Sequence, residues 1–173
     1  MSQPRDKAGQ QSVAAPRQEI ERKFRVIGDG WRAGAKAYPI TQGYIAQREG
    51  FEVRLRETDQ TAFLTLKGRQ ADARIRIEYE YEVPREDAQN LLRHFAQGSL
   101  IQKTRHEVTF AGNLWEVDVF EGENAGLVVA EIELSSVDQT FEHPSWLGEE
   151  ITGDKRYSNV ALAQHPYTRW GSA

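Results

Sequence analysis

The chain has 173 residues, with 22 lysines and arginines against 26 aspartates and glutamates, a formal net charge of −4. Apolar residues make up 39% and cysteine is absent, so the length suits one domain with its own core, and disulfides, thiolate metal sites and a cysteine nucleophile are excluded. The mild negative charge argues against a dedicated nucleic-acid binder, which carries a basic footprint, and no stretch approaches the roughly 18 apolar residues of a membrane span.

The opening MSQPRDKAGQQSVAAPR lacks the apolar middle of a signal peptide and reads as a polar, disordered tail over 1–17. A single domain over 18–173 follows, with the cytoplasm as its default setting. From Gln18 onward apolar and charged residues alternate, the signature of half-buried strands. The alternation predicts strands near 18–27, 40–48, 51–57, 61–68, 74–83, 101–110, 113–120 and 127–135. Short turn signals separate them, among them Arg48-Glu49-Gly50, Thr58-Asp59-Gln60 and Ala111-Gly112-Asn113. Such connections imply antiparallel hairpins. The segment 28–38, with three glycines and Trp31, reads as irregular or as one helical turn. Pro84 followed by Glu86 and Asp87 starts a helix over 84–95, with Leu91, Leu92 and Phe95 as its apolar stripe and Gly98 as its end. A second short helix is predicted at 155–163. The fold class is therefore mainly β with a few helices: an eight-stranded antiparallel sheet closed into a barrel, with helices packed outside.

Parity along the strands is informative, because residues i and i+2 share a face. Glu19, Glu21, Lys23 and Arg25 share one face. Arg54 and Arg56 lie with Glu52, and Lys67 opposes Leu64 and Leu66. Glu78 and Glu80 lie with Glu82. Lys103 and Arg105 lie with Glu107, Glu116 pairs with Asp118, and Glu131 with Glu133. Alternation by itself favours a solvated outer face over an ordinary apolar core. The repeated Glu and Arg pairs also allow an inverted barrel, charged inside and apolar outside. A charged interior is costly unless its charges are paired or solvated. A polyanion gripped by Arg and Lys, with carboxylates holding a hard cation, would meet that condition.

Other motifs carry less. Gly28-Asp29-Gly30 with Gly34 misses the G-x-G-x-x-G spacing and no βαβ unit surrounds it. The four histidines lie far apart, and His106 reads as packed or surface-exposed. There is no G-x-S-x-G elbow. Trp31, Trp146 and Trp170 could serve an interface or their own core.

Glu19-Ile20-Glu21-Arg22-Lys23 is an E-x-E-x-K pattern at the head of the domain. After it come Gln42-Gly43-Tyr44-Ile45, Val53-Arg54-Leu55-Arg56, Leu64-Thr65-Leu66-Lys67-Gly68, Glu78-Tyr79-Glu80-Tyr81-Glu82, Lys103-Thr104-Arg105, Trp115-Glu116-Val117-Asp118, Ala130-Glu131-Ile132-Glu133 and Arg156-Tyr157-Ser158-Asn159. In that order the set resembles the CYTH family of triphosphate tunnel metalloenzymes over about residues 17–163, and among them the small bacterial members. The resemblance implies an eight-stranded charged tunnel and metal-dependent hydrolysis of a triphosphate. It implies that Lys23, Arg54, Arg56, Lys67, Lys103 and Arg105 bind the phosphates. Glu19, Glu21, Glu131 and Glu133, completed by Glu78, Glu80, Glu116 and Asp118, are the implied acidic set for Mg²⁺ or Mn²⁺ and the attacking water, with Glu19, Glu21 and Lys23 closest to the chemistry. Tyr44 and Tyr157 either reach the tunnel mouth or pack. The resemblance also suggests a homodimer. Inorganic triphosphate is the favoured substrate, because no aromatic cluster marks a base site. Thiamine or nucleoside triphosphates, cyclisation of ATP, and a non-catalytic polyphosphate binder are the alternatives.

Overall fold

The computed structural model describes residues 17–18, 20–69 and 76–171. Residues 1–16 of the expected 1–17 tail, Glu19 and the expected strand start at 74–75 lie outside the described residues, and Arg17 belongs to a strand. Among the described residues there are ten strands: β1 (Arg17–Gln18), β2 (Glu21–Val26), β3 (Lys36–Arg48), β4 (Phe51–Thr58), β5 (Ala62–Arg69), β6 (Arg76–Val83), β7 (Gln97–Phe110), β8 (Asn113–Phe120), β9 (Val128–Glu133) and β10 (Leu147–Glu150). Two helices, α1 (Arg85–Phe95) and α2 (Asn159–Gln164), accompany them.

The strands form one antiparallel sheet in the order β1-β6-β5-β4-β3-β7-β8-β9-β2-β10. Its terminal strands β1 and β10 are not paired with each other, so the expected closed eight-stranded barrel is corrected to an open ladder of ten. The ladder nevertheless curls. β1 pairs with β6 and β2 pairs with β9, although Gln18 and Glu21 are only three residues apart in sequence. The chain between them draws the two flanks of the sheet together around a cavity of about 1830 Å³. Strand twist favours such curling in a sheet of this width.

Several boundaries differ from the periodicity. β3 begins at Lys36, inside the segment read as irregular, and it carries Pro39. Proline, lacking an N–H, is tolerated there because β4 pairing begins only at Ile40, opposite Thr58. β10 has only four residues and pairs at the sheet edge, too short for alternation to register. α1 ends at Phe95, and Gly98 lies within β7 rather than ending the helix. Gly98 has φ +77, and a Cβ there would lie 2.7 Å from the Ala163 carbonyl oxygen of α2. Only glycine allows both that conformation and that approach. At the β7–β8 turn Ala111 and Gly112 have φ 47 and 78, the double left-handed pattern of a tight two-residue hairpin.

The cores explain which face is which. Phe24, Trp31, Trp115, Val117, Ile132 and Trp146 form one apolar cluster on the outer face of β2, β8 and β9. Trp31 and Trp146 are 1% and 6% exposed, so both pack in the chain's own core. His106 packs edge-on to Trp31, 4.8 Å between ring centres. A second cluster sets Ala88 and Leu92 of α1 on Leu55 and Ala62, the outer face of β4 and β5. The third is inside. Tyr44, Ile101, Phe120 and Val129, all on the cavity side of their strands, pack with Tyr157, Leu162 and Ala163. The inner surface is thus apolar at one end, where α2 plugs it. Among the described residues no helix is long and apolar enough to cross a membrane.

Candidate active site

The charged face of every central strand turns inward. Glu21, Lys23, Arg54, Arg56, Lys67, Glu78, Glu80, Lys103, Arg105, Glu116, Glu131 and Glu133 all line the cavity. The inverted arrangement is therefore the one adopted. Asp118 shares their face but lies beneath the wall, 0% exposed. Tyr44 lines the plugged end, while Tyr157 is packed there and is bonded by Arg25 Nη1 at 3.3 Å.

Cross-strand register builds two walls. On the first, Arg54 opposes Thr65, which opposes Glu80, and Lys67 opposes Glu78. Lys67 Nζ lies 2.9 Å from Glu78. Arg56 Nη2 donates to Glu80 Oε2 at 3.1 Å, and Arg54 Nη2 lies 3.6 Å from both Glu78 and Glu80. Thr65 receives a bond from Arg54 Nη2 at 3.2 Å and donates to Glu80 at 2.9 Å. Parity with Lys67 places Thr65 on the inner face, yet no charge marks it in the sequence. The Arg54 Nε hydrogen is buried without an acceptor among the described residues. Burial, with Arg54 alongside, pulls the Arg56 guanidinium below its ordinary value against the pull of Glu80.

On the second wall, Glu107, Glu116, Glu131 and Lys23 face one another in a row across β7, β8, β9 and β2. Glu21 opposes Glu133 in the adjoining row. Lys23 Nζ donates to Glu131 Oε1 at 2.8 Å and lies 3.0 Å from Glu21. Arg105 pairs with Glu116, with Asp118 at 2.7 Å and with Glu131 at 3.4 Å. Burial opposes the Lys23 ammonium, but Glu131 and Glu21 outweigh it and raise its pKa. Burial likewise opposes the Glu131 carboxylate, but Lys23 and Arg105 hold its pKa below the usual range. At Glu116 burial wins, helped by Glu131 and Asp118, and the carboxyl is raised despite Arg105.

Like charges directly opposite in a ladder are destabilising unless something bridges them. Arg105 bridges the pair Glu116–Glu131, and Lys23 links Glu21, which faces Glu133, to Glu131; these carboxylates offer oxygen donors of the kind a hard divalent cation takes. Among the described residues no three acidic or histidine side chains stand together as a ready cation cage; the carboxylates are turned toward their basic partners.

Residues 17–167 match the CYTH domain. The chain belongs to the CYTH family. An inorganic triphosphatase of Acetivibrio thermocellus is 44% identical over 149 residues, covering 86% of this CYTH chain and 95% of that protein. An inorganic triphosphatase of Nitrosomonas europaea is 38% identical over 151 residues, covering 84% and 96%. A crystal structure of an inorganic triphosphatase superposes with a TM-score of 0.63 at 38% identity, covering 84% of this chain and 93% of that one.

Proposed function

We propose that this CYTH protein hydrolyses inorganic triphosphate to pyrophosphate and phosphate with the help of Mg²⁺ or Mn²⁺. The observation that carries the reading is the meeting of cationic and acidic side chains on both walls of one cavity. A plain anion binder would gain nothing from the facing carboxylates. The likeness to two inorganic triphosphatases supports the choice of substrate.

Arg54, Arg56, Lys67, Lys103 and Arg105 hold the phosphate chain, with the guanidinium groups suited to bidentate contact. Glu21, Glu116, Glu131 and Glu133, with Glu19 and the β6 carboxylates Glu78 and Glu80 in support, would hold the divalent cation. When bound, the cation would neutralise phosphate oxygens and lower the pKa of a water. The water attacks the terminal phosphorus in line with the departing pyrophosphate, so the protein's task is mostly positioning and charge neutralisation. Lys23, fixed by Glu21 and Glu131, neutralises the attacked group. The apolar end built by Tyr44, Ile101 and α2 keeps water out behind the substrate. A homodimer is what the family resemblance suggests, with the cytoplasm as the default setting.

The test is phosphate release from inorganic tripolyphosphate, ATP and thiamine triphosphate, each with Mg²⁺, with Mn²⁺ and with chelator. Fast cation-dependent release from tripolyphosphate is expected, with little from the other two. Release of cyclic AMP and pyrophosphate from ATP would move the function to a cyclase. No turnover of any of them would leave a binding protein.

A further inference from the structure

We infer that Asp118 is a positioning residue that aims Lys103 and Arg105 at the phosphates from beneath the cavity wall, and is not itself a cation ligand. This rests on the triphosphatase reading above. Asp118 is on the inner face of β8, two residues from Glu116, and parity alone groups the two together. Their surroundings separate them. Glu116 lines the cavity, whereas Asp118 is fully buried and does not.

The Asp118 carboxylate is already committed. Oδ2 accepts from Lys103 Nζ at 2.6 Å and from Arg105 Nη2 at 2.7 Å, and Oδ1 accepts from Arg105 Nε at 2.8 Å. A carboxylate offers about four acceptor sites, so three are taken by charged donors. The remaining site sits on a carboxylate with no exposed surface, so a cation has no open approach to it. Arg105 is directly opposite Asp118 in the ladder, and Lys103 is opposite Phe120. Lys103 Nζ stands 5.3 Å from the Phe120 ring centre. The ammonium is therefore bracketed by an aromatic ring and the Asp118 oxygen.

Lysine and arginine are long and flexible, and fixing them after the ligand arrives weakens binding. Asp118 fixes both beforehand. It also offsets the mutual repulsion of two cations two residues apart on one face. Lys103 and Arg105 both line the cavity, and Asp118 anchors them to its wall.

Asp118→Asn keeps the side-chain shape and removes the charge. The expected result is a KM for tripolyphosphate raised by roughly 30-fold, the scale for removing one partner of a buried charge pair, with a smaller change in kcat. Mn²⁺ affinity of the substrate-free protein, read by calorimetry, stays at the wild-type value. In a Lys103→Met background the same substitution costs much less, because one of its two targets is gone. A drop in Mn²⁺ affinity, or full additivity in that cycle, overturns the inference. Asp118→Glu, which moves the carboxylate by one methylene, gives the same split if the asparagine variant does not fold. Should the wild type fail to hydrolyse tripolyphosphate, the functional reading falls. Calorimetric binding of tripolyphosphate to wild type and variant then still decides on Asp118, and equal affinities overturn its role.

Discussion

Lys23 and Glu131 face each other across β2 and β9, joined by a 2.8 Å hydrogen bond from Nζ to Oε1. That one contact links a candidate phosphate ligand to a candidate cation ligand. Each holds the other in its charged form inside a wall that burial would otherwise neutralise.

Glu131→Gln breaks the pair while leaving Lys23 buried beside Glu21. Removing one partner of a buried ion pair costs about 3 kcal/mol. Urea denaturation at neutral pH should show that loss, and cation-dependent hydrolysis should fall by at least about tenfold.

The same pair shapes the acid limb of stability. The Glu131 pKa is lower in the folded chain than its ordinary value of 4.5. Its stabilising contribution is therefore complete above that value and is lost as pH falls toward the folded pKa. Asp118, held down by Lys103 and Arg105 against burial, acts in the same direction. Unfolding free energy measured from pH 6 down to pH 3 should decline, and Glu131→Gln should flatten the decline.

Glu116 has the opposite sign. Its folded pKa is raised, so its contribution is complete below the ordinary carboxylate pKa and is lost as pH rises through the raised value. At pH 7 Glu116→Gln should match or exceed the wild type in Tm, while Arg105 keeps Asp118 and Glu131 as partners. Turnover should fall at least about tenfold. A variant that loses Tm at pH 7 contradicts the assignment.

Arg54 has a buried Nε hydrogen without an acceptor among the described residues, and a phosphate oxygen is the acceptor that suits it. Arg54→Lys keeps the charge and deletes that donor. KM for tripolyphosphate should rise about tenfold or more, the scale of one hydrogen bond to a charged group, with little change in Tm.

Gly98→Ala tests the plugged end. The added Cβ meets the Ala163 carbonyl oxygen at 2.7 Å, from a backbone with φ +77. Left-handed strain and overpacking together predict a loss of about 3 kcal/mol in unfolding experiments. Because the clash falls on α2, amide exchange in 159–164 should speed up most.

The strands were legible in the sequence because a side-chain period of two is a local property. Parity alone placed Lys23, Arg54, Arg56, Lys103 and Arg105 on common faces with acids and set Lys67 opposite Leu64 and Leu66, and the E-x-E-x-K run with the later Glu and Arg pairs pointed to the family. What periodicity cannot tell is which face is inside. Alternation reads the same for a solvated rim and for a charged cavity. The answer came from what covers the other face: Trp31 and Trp146 from loops, and α1 on Leu55 and Ala62. The open ladder was equally hidden, since β10 is too short to alternate and β1 pairs at long range with β6. The difference between Glu116 and Asp118, two residues apart with the same parity, was decided only by the tertiary structure. Depth below the cavity wall depends on how β7, β8 and β9 curl together, and no local pattern encodes that.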